Sequence, residues 1–578
     1  MKITSLGHAG FMIETEGALI VADPWLSPAG AFDSAWMQFP QNHHLASLVR
    51  EKLGRTTKER FLYLSHEHKD HFDPEFLSTL EKRDVTVVVP RFRRDRMRRY
   101  LAEAGFDRQV VCRDGDSVPL AGGGSLKLFV EDSDLNRDSS LLVRADGQTF
   151  LNLNDCKIHD RLASLSATEG PIDVFTAQFS GAIWHPTCYD YDKPTYKRIS
   201  TKKMFSKFEA VARAIQVLAP RCYLASAGPP CFLDPALIHL NFEEVNIFPR
   251  APAFFQFLQR RLKDSPTRLL DTLPGDVFDL DAVGTPASSE PFTDEGFREY
   301  VQSYAERMKD LFAWRSRNLS ADSLQGVLDR LQAELERKLA HLSLHDRVAT
   351  PLYVQLSDLP GQILLVDFPA RRIRRVTEVP ATDRYSLEVG AANILAVLEG
   401  RLTWEDFMLS LRMRLSRVPD LYDPLIHGFL VVEAEDLEAF CETIRKNEAR
   451  TERIEIPVGD RTYSINRFCP HQGADFSQAG ACWVEGKHLV CGRHRWQFDL
   501  EAGGRCNTNT SSIRAELVRD VTASNAAEAN AFAASNAAAA AASEVSATNE
   551  AVSSNGSDAS GADSDDRERG DEAAPTAS

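Results

Sequence analysis

Two thiol–imidazole pairs stand near the C-terminal end of this sequence. Cys469-Pro470-His471 and Cys491-Gly492-Arg493-His494 read C-x-H, nineteen residues, then C-x-x-H. Each short loop presents one thiolate and one imidazole. Together the loops can hold a [2Fe–2S] cluster, with two thiolates on one iron and two neutral imidazoles on the other, which raises the potential above that of an all-cysteine cluster. A structural Cys2His2 zinc site is the alternative, but zinc-finger pairs follow a different spacing. A second donor set lies near the N-terminus, in Ser65-His66-Glu67-His68-Lys69-Asp70-His71. Four N/O donors within six residues (His66, His68, Asp70 and His71) can converge on one or two metal ions, with a solvated polar loop as the plainer alternative.

The elements that must position these donors are legible from periodicity. Residues 3–6, 11–14, 18–22, 61–64, 85–89, 126–130 and 149–153 are short, β-branched or aromatic runs, and read as strands. The 65–71 loop follows one of them and precedes Asp73-Pro74-Glu75. Those residues suit the N-cap, the first helical position and the positive helix end. Interleaved strands and helices predict a layered α/β domain over residues 1–250. An α-helical and α+β extension is expected over residues 251–445. There Leu324, Leu328, Leu331, Leu335, Leu339 and Leu342 recur three and four apart and predict one core-facing stripe. Residues 445–453 are charged and read as a linker. An all-β module follows over residues 446–522. Residues 523–578 are dominated by Ala, Ser, Asn, Asp and Glu, which predicts a disordered acidic tail, because such a segment buries too little apolar surface to offset its ordering entropy.

Composition removes several function classes. A hydrophobic fraction of 43% over 578 residues is globular and sufficient for two or three domains. The net charge of -16 argues against nucleic acid as a partner, since phosphate binding needs a basic face. No apolar run reaches the roughly 18 residues of a membrane span. The N-terminal residues lack an apolar signal core, so a cytoplasmic protein is expected. Of ten cysteines only Cys469 and Cys491 have metal-ligand spacing; the others, such as Cys222, Cys231 and Cys441, read as buried thiols. Arg198, Lys202 and Lys203 form one basic run and Arg93, Arg94, Arg98 and Arg99 another. Either could meet a phosphorylated or nucleotide-linked substrate, but both read as solvated helix faces.

The cluster loops, with Gly473 for a tight turn and Trp496-Gln497-Phe498-Asp499 after the second histidine, resemble Rieske ferredoxins and oxygenases. Arg495 replaces the glycine usual there. Ala474 and Arg493 stand where respiratory Rieske proteins carry their extra, disulfide-forming cysteines, so the resemblance is to the ferredoxin and oxygenase branch. The 65–71 loop, Gly7-His8, Asp23-Pro24 and Asn154-Asp155 resemble the metallo-β-lactamase superfamily. That resemblance implies an αββα sandwich, with His66 and His68 on a first metal, Asp70 and His71 on a second, and Asp155 bridging. No histidine occurs between Phe72 and Ile158, where superfamily hydrolases supply a third imidazole. Asp134 sits about where that ligand belongs, and two histidines with a carboxylate favour non-haem Fe(II). His159 and His185 are candidates for the last ligand of the second metal, although a surface role suits both.

Longer stretches extend the resemblance to CMP-N-acetylneuraminate hydroxylase. They are Gly7-His8-Ala9-Gly10-Phe11, Asp23-Pro24-Trp25-Leu26-Ser27, Leu151–Cys156 written Leu-Asn-Leu-Asn-Asp-Cys, and Leu402-Thr403-Trp404-Glu405-Asp406. In that family the Rieske domain precedes the metallo-β-lactamase part, whereas here it follows. The combination implies a Rieske-dependent iron monooxygenase of a polar, nucleotide-sugar-like small molecule, fed by a reductase, ferredoxin or cytochrome. A metal-dependent hydrolase with zinc and a redox-sensing cluster is the second reading, and a non-enzymatic electron carrier the third. The iron-binding D-x-x-H-x-x-x-x-H loop of ring-hydroxylating oxygenases is not found. His68 in place of glutamate also separates the loop from the H-x-E-x-D-H of flavodiiron O2 reductases.

Overall fold

The computed structural model describes residues 1–520, apart from residue 95 and segments 134–136, 280–291 and 317–319. Asp134 and the expected tail therefore lie outside the described residues. The N-terminal part is two seven-stranded sheets packed face to face. One runs Val277–Asp279, Lys2–Gly7, Gly10–Glu14, Ala18–Ala22, Glu59–Tyr63, Val85–Pro90 and Gln109–Cys112 in spatial order. The other runs Arg268–Leu270, Cys222–Ser226, Val174–Gln178, Gln148–Asn152, Arg137–Ala145, Gly124–Asp132 and Ser117–Leu120. Phe11, Ile13, Ile20 and Phe61 meet Leu126, Leu128, Phe150 and Val174 between them. On the outer faces, helices Leu45–Arg55 and Arg96–Glu103 cover the first sheet, and Lys193–Leu218 and Ala251–Arg261 the second. This is the αββα sandwich. The strands missed in the sequence, such as Val174–Gln178 and Cys222–Ser226, are buried at every position and so lack the alternation that marks a half-exposed strand.

The extension is a five-stranded sheet (order Arg372–Val376, Ile363–Asp367, Leu352–Leu356, Arg384–Val389, Met413–Val418) under helix Ala321–His341. Leu328, Leu331, Leu335, Leu339 and Leu342 are buried, each contributing on the order of 1.5–3 kcal/mol. Its core is continuous with Trp25, Phe32, Trp36, Trp184 and Phe248 of the sandwich, so the two parts expected at 1–250 and 251–445 share one hydrophobic cluster. Helix Leu437–Glu448 runs into the segment read as a linker, because Leu437, Phe440 and Cys441 anchor it and Arg445 reaches Ser343. The C-terminal module has a three-stranded sheet (Arg453–Val458, Arg461–Asn466, Glu516–Asp520) and a four-stranded one (Cys482–Glu485, His488–Cys491, Gln497–Asp499, Arg505–Cys506) around Ile456, Ile465, Leu489 and Phe498. All ten cysteines are free and buried. Among the described residues, no helix is long and apolar enough to cross a membrane.

Candidate metal centre and cluster site

The N-terminal donors collect at one edge of the sandwich, where strands end in tight left-handed turns. His8, Asp23 and Asn154 have φ of 51°, 40° and 52°. His, Asp and Asn enter this region more readily than most residues, and such outliers cluster at functional sites. Gly10 has no alternative: a Cβ there would lie 2.9 Å from the Asp23 carbonyl oxygen. The 65–71 loop is held from both ends. Asp73 caps helix Pro74–Ser78 by accepting from Phe76 N at 3.0 Å, and it also accepts from Leu26 N at 2.9 Å and Ser27 N at 2.7 Å.

Two overlapping groups have ligand atoms within 4.8 Å of one another: His8, Asp70 and His71, and His66, His71 and Asp155. His8 Nε2 lies 3.0 Å from Asp70 Oδ2, and His71 Nε2 lies 3.8 Å from Asp70 Oδ2 and 3.6 Å from Asp155 Oδ1. Asp70 Oδ1, His71 Nε2 and Asp155 Oδ1 are buried without a hydrogen-bond partner. Buried polar atoms left bare in this way call for a further partner, and with His71 shared by two adjacent donor groups they fit one or two cations. His68 joins neither group, but its Nδ1 faces His66 Nε2 at 2.9 Å.

Supporting contacts decide which ring nitrogen each histidine presents. His71 Nδ1 donates to Asp23 Oδ2 at 2.9 Å, and Asp23 also accepts from Ser65 N at 2.8 Å and Ser65 Oγ at 2.5 Å. His66 Nδ1 lies 3.0 Å from Ser65 Oγ and 3.2 Å from Asp138 Oδ1. His68 Nε2 lies 3.3 Å from Glu405 Oε1, supplied by the extension. A carboxylate behind a ligating imidazole fixes its tautomer and raises its basicity. Burial opposes charge on all these groups. Against it, Asp70 and Asp155 hold His71 well above the usual imidazole range, and Glu405 raises His68 to about 9. Burial, then His71 and His68, holds His66 well below its ordinary value.

His8 was not read as a donor in the sequence, although Gly7-His8 was part of the resemblance. Asp138 carried no sequence signal at all. Neither His159 nor His185 joins the metal groups: His185 Nε2 meets Tyr191 Oη at 3.0 Å, and His159 is pushed down to about 3 by burial and then by Lys207. The Arg93–Arg99 run is not a free face. Arg93 reaches Thr443 at 2.6 Å and Arg94 lies 3.7 Å from Asp436, so it docks the extension.

At the C-terminal loops the four expected ligands come together by type. Cys469 and Cys491 are buried and each shifts the other's thiol, raising that of Cys469 and lowering that of Cys491, and the His471 and His494 rings lie 4.8 Å apart. Burial, then Lys157, pushes His471 down to about 3, so it is neutral as a metal ligand must be. Its Nδ1 is buried without a partner, and its ring stacks on Trp496 at 3.7 Å. Gly473 (φ 69°) closes the first loop, with its N donating to Cys469 O at 2.9 Å. Arg495 holds φ 58°, the left-handed geometry that explains the usual glycine there, while its N donates to Cys491 O at 2.8 Å. These donors fit a [2Fe–2S] cluster. The module docks on the sandwich beside the metal edge: Arg493 of the second cluster loop pairs with Asp160 at 2.9 Å and Glu131 at 3.1 Å, and Arg213 lies over the Trp483 ring at 3.6 Å.

Residues 2–184 match the beta-lactamase superfamily domain, and residues 429–517 match the Rieske [2Fe-2S] domain. Over 531 residues the chain is 31% identical to a Rieske 2Fe-2S iron-sulfur protein of Mycolicibacterium smegmatis, a match covering 88% of this chain and 98% of that one. It is 21% identical over 490 residues to the cytidine monophosphate-N-acetylneuraminic acid hydroxylase of Asterias rubens, covering 79% of this chain and 70% of that protein. Among solved structures, CmlA, a diiron beta-hydroxylase from Streptomyces venezuelae, is similar with a TM-score of 0.32 and 16% identity over 48% of this chain and 54% of that one.

Proposed function

Since the chain belongs to the family of Rieske [2Fe–2S] iron–sulfur proteins that carry a beta-lactamase superfamily domain, we propose that it is an iron-dependent hydroxylase acting on a polar small molecule. The observation that carries this reading is the adjacency of two buried sites: Arg493, between the cluster ligands Cys491 and His494, lies 2.9 Å from Asp160 and 3.1 Å from Glu131 of the sandwich. Iron at the N-terminal edge supplies O2 chemistry and the cluster supplies single electrons. Hydroxylation of one C–H bond takes up one O2, two electrons and two protons and releases one water. A hydrolase has no use for that electron supply, because zinc has no redox chemistry.

The residues divide the work. His66, His68, Asp70, His71 and Asp155 would hold the metal, joined by His8, whose Nε2 meets Asp70. Asp23 takes the Nδ1 proton of His71 and so leaves Nε2 facing the site. Glu405, from the extension, holds His68 by the opposite nitrogen, Nε2, and so leaves Nδ1 facing the site. Cys469, His471, Cys491 and His494 would hold the cluster, and Arg493 fixes it against the sandwich through Glu131 and Asp160. A nucleotide-sugar-like substrate is supported by the likeness to the starfish hydroxylase, and the electron donor is a reductase, ferredoxin or cytochrome. The test is a metabolite screen with the protein purified without oxygen, followed by turnover in labelled O2. Iron at the N-terminal site and one labelled oxygen atom in product are expected. Zinc, oxygen taken from water and turnover without reductant would replace this reading with hydrolysis.

A further inference from the structure

Helix Lys193–Leu218 covers the second sheet, and its basic residues do not share one fate. Arg198 and Lys202 are exposed. Lys203 and Lys207, four apart on one face with buried Ser200 and Val211, turn inward, and Lys207 reaches Gln178, whose N donates to Asn154 O at 3.1 Å beside Asp155. Lys203 Nζ donates to His185 O at 3.1 Å, and Lys207 Nζ donates to Gln178 Oε1. Each ammonium carries three donors, so these contacts leave N–H groups to spare. Among the described residues, no carboxylate forms an ion pair with Lys203, Lys207 or the neighbouring Lys157. Burial, then Arg417 and Lys157, lowers Lys203 to about 7, and burial, then Lys157, lowers Lys207 to about 7 against the opposing pull of Asp155 and Asp138. All three lysines keep some accessible surface, as do His159, His185 and His427, so solvent and small solutes reach them.

Interior cations without a direct ion pair are costly, and an anion bound against them lowers that cost. It stands out in a chain of net charge -16, where carboxylates are the commoner neighbours. We propose that Lys157, Lys203 and Lys207 form a binding site for an oxyanion group of the substrate, a carboxylate or a phosphate, between Asp155 and His494. The inference rests on the reading that both sites serve one reaction. It deepens that reading by assigning the substrate's charge and the residues that hold it. Ammonium groups are compact point charges with freely turning donors, suited to an oxyanion in either form.

The test uses the full-length, cluster-loaded protein in low-salt buffer and two probes, inorganic phosphate and succinate, in equilibrium dialysis. One equivalent of at least one probe is expected to bind. Binding should weaken at least ten-fold in the Lys203→Met/Lys207→Met variant and stay unchanged in Lys202→Met, which alters the exposed side of the same helix. Phosphate alone bound identifies a phosphorylated or nucleotide-linked substrate, and succinate alone an organic acid. Pulsed electron-spin resonance of the reduced wild-type protein gives an independent reading, since 31P or 13C of the bound probe should couple to the cluster. That measurement needs no substitution and stands even if the double variant fails to fold. Absence of binding by both probes, absence of coupling, or equal affinity in a folded double variant would overturn the proposal. None of these readouts needs O2 or turnover, so their failure leaves the hydroxylase reading standing, and failure of the labelling experiment leaves this one.

Discussion

Arg493 grips Asp160 through one edge of its guanidinium: Nε lies 3.1 Å from Oδ1 and Nη2 lies 2.9 Å from Oδ2. The arginine sits between Cys491 and His494, and the aspartate follows the Asn154-Asp155 turn of the sandwich. One bidentate pair therefore ties the second cluster loop to the metal edge. Nη1 adds Glu131 Oε1 at 3.1 Å and Gln472 O at 2.7 Å. Where respiratory Rieske proteins hold this loop with a disulfide, the same position here holds a neighbouring domain.

Removing that grip should separate docking from cluster assembly. Arg493→Met leaves Asp160 and Glu131 buried without their cation, a loss of about 3–5 kcal/mol for a buried pair. The full-length variant should keep its reduced-cluster electron-spin resonance, melt lower and pass electrons to the N-terminal site more slowly in stopped-flow reoxidation. A variant with wild-type melting temperature and reoxidation rate would show that the contact does not position the cluster.

Glu131 also sets a pH dependence. Burial, partly offset by Arg493, raises its carboxyl to about 7 from an ordinary value of 4.5. Between those values the unfolded chain has lost a proton that the folded chain retains, so stability falls as pH rises through the window. The shift corresponds to a change on the order of 3 kcal/mol. Chemical denaturation from pH 4.5 to 7.5 should show a shallower fall in Glu131→Gln than in the wild type; parallel curves would refute the assignment.

The ligand sets should fail independently. His68→Ala is expected to keep a reducible cluster and lose product, whereas His494→Ala should lose the rhombic resonance of the reduced cluster and retain N-terminal iron. Iron and acid-labile sulfide analysis of each purified variant separates the two. Simultaneous loss of both metals in both variants would mean that the sites are one folding unit.

Glu405→Gln examines support from outside the sandwich. The glutamate raises His68 to about 9, and His68 reciprocally holds Glu405 down to about 2 against the effect of burial. Without the charge, His68 should be a poorer ligand, and metal affinity at the N-terminal site should drop about 10- to 100-fold, as for other carboxylates behind ligating histidines. Competition against a chromophoric chelator measures this, and unchanged affinity would place His68 outside the metal's ligands.

What could be read from the residues alone was local. The two cluster loops are each contiguous, so ligand type and spacing within a few residues pointed to a [2Fe–2S] site before any fold was known. The same holds for the 65–71 loop, whose strand before and capped helix after were both visible in composition. Asp73 even acts as the N-cap its position suggested. Contributions from distant chain were not legible. His8 reaches Asp70 across sixty-two residues, and Asp138 reaches His66 from a strand whose buried pattern matches any core strand. Lys203 read as solvated because basic residues clustered on a helix, as Arg198, Lys202 and Lys203 are, usually line its exposed face. Yet the helix turns about 100° per residue, so Lys202 faces solvent while Lys203 faces the interior. Only the packing of that helix on the sheet, and of the Rieske module against both, decided which charges look inward.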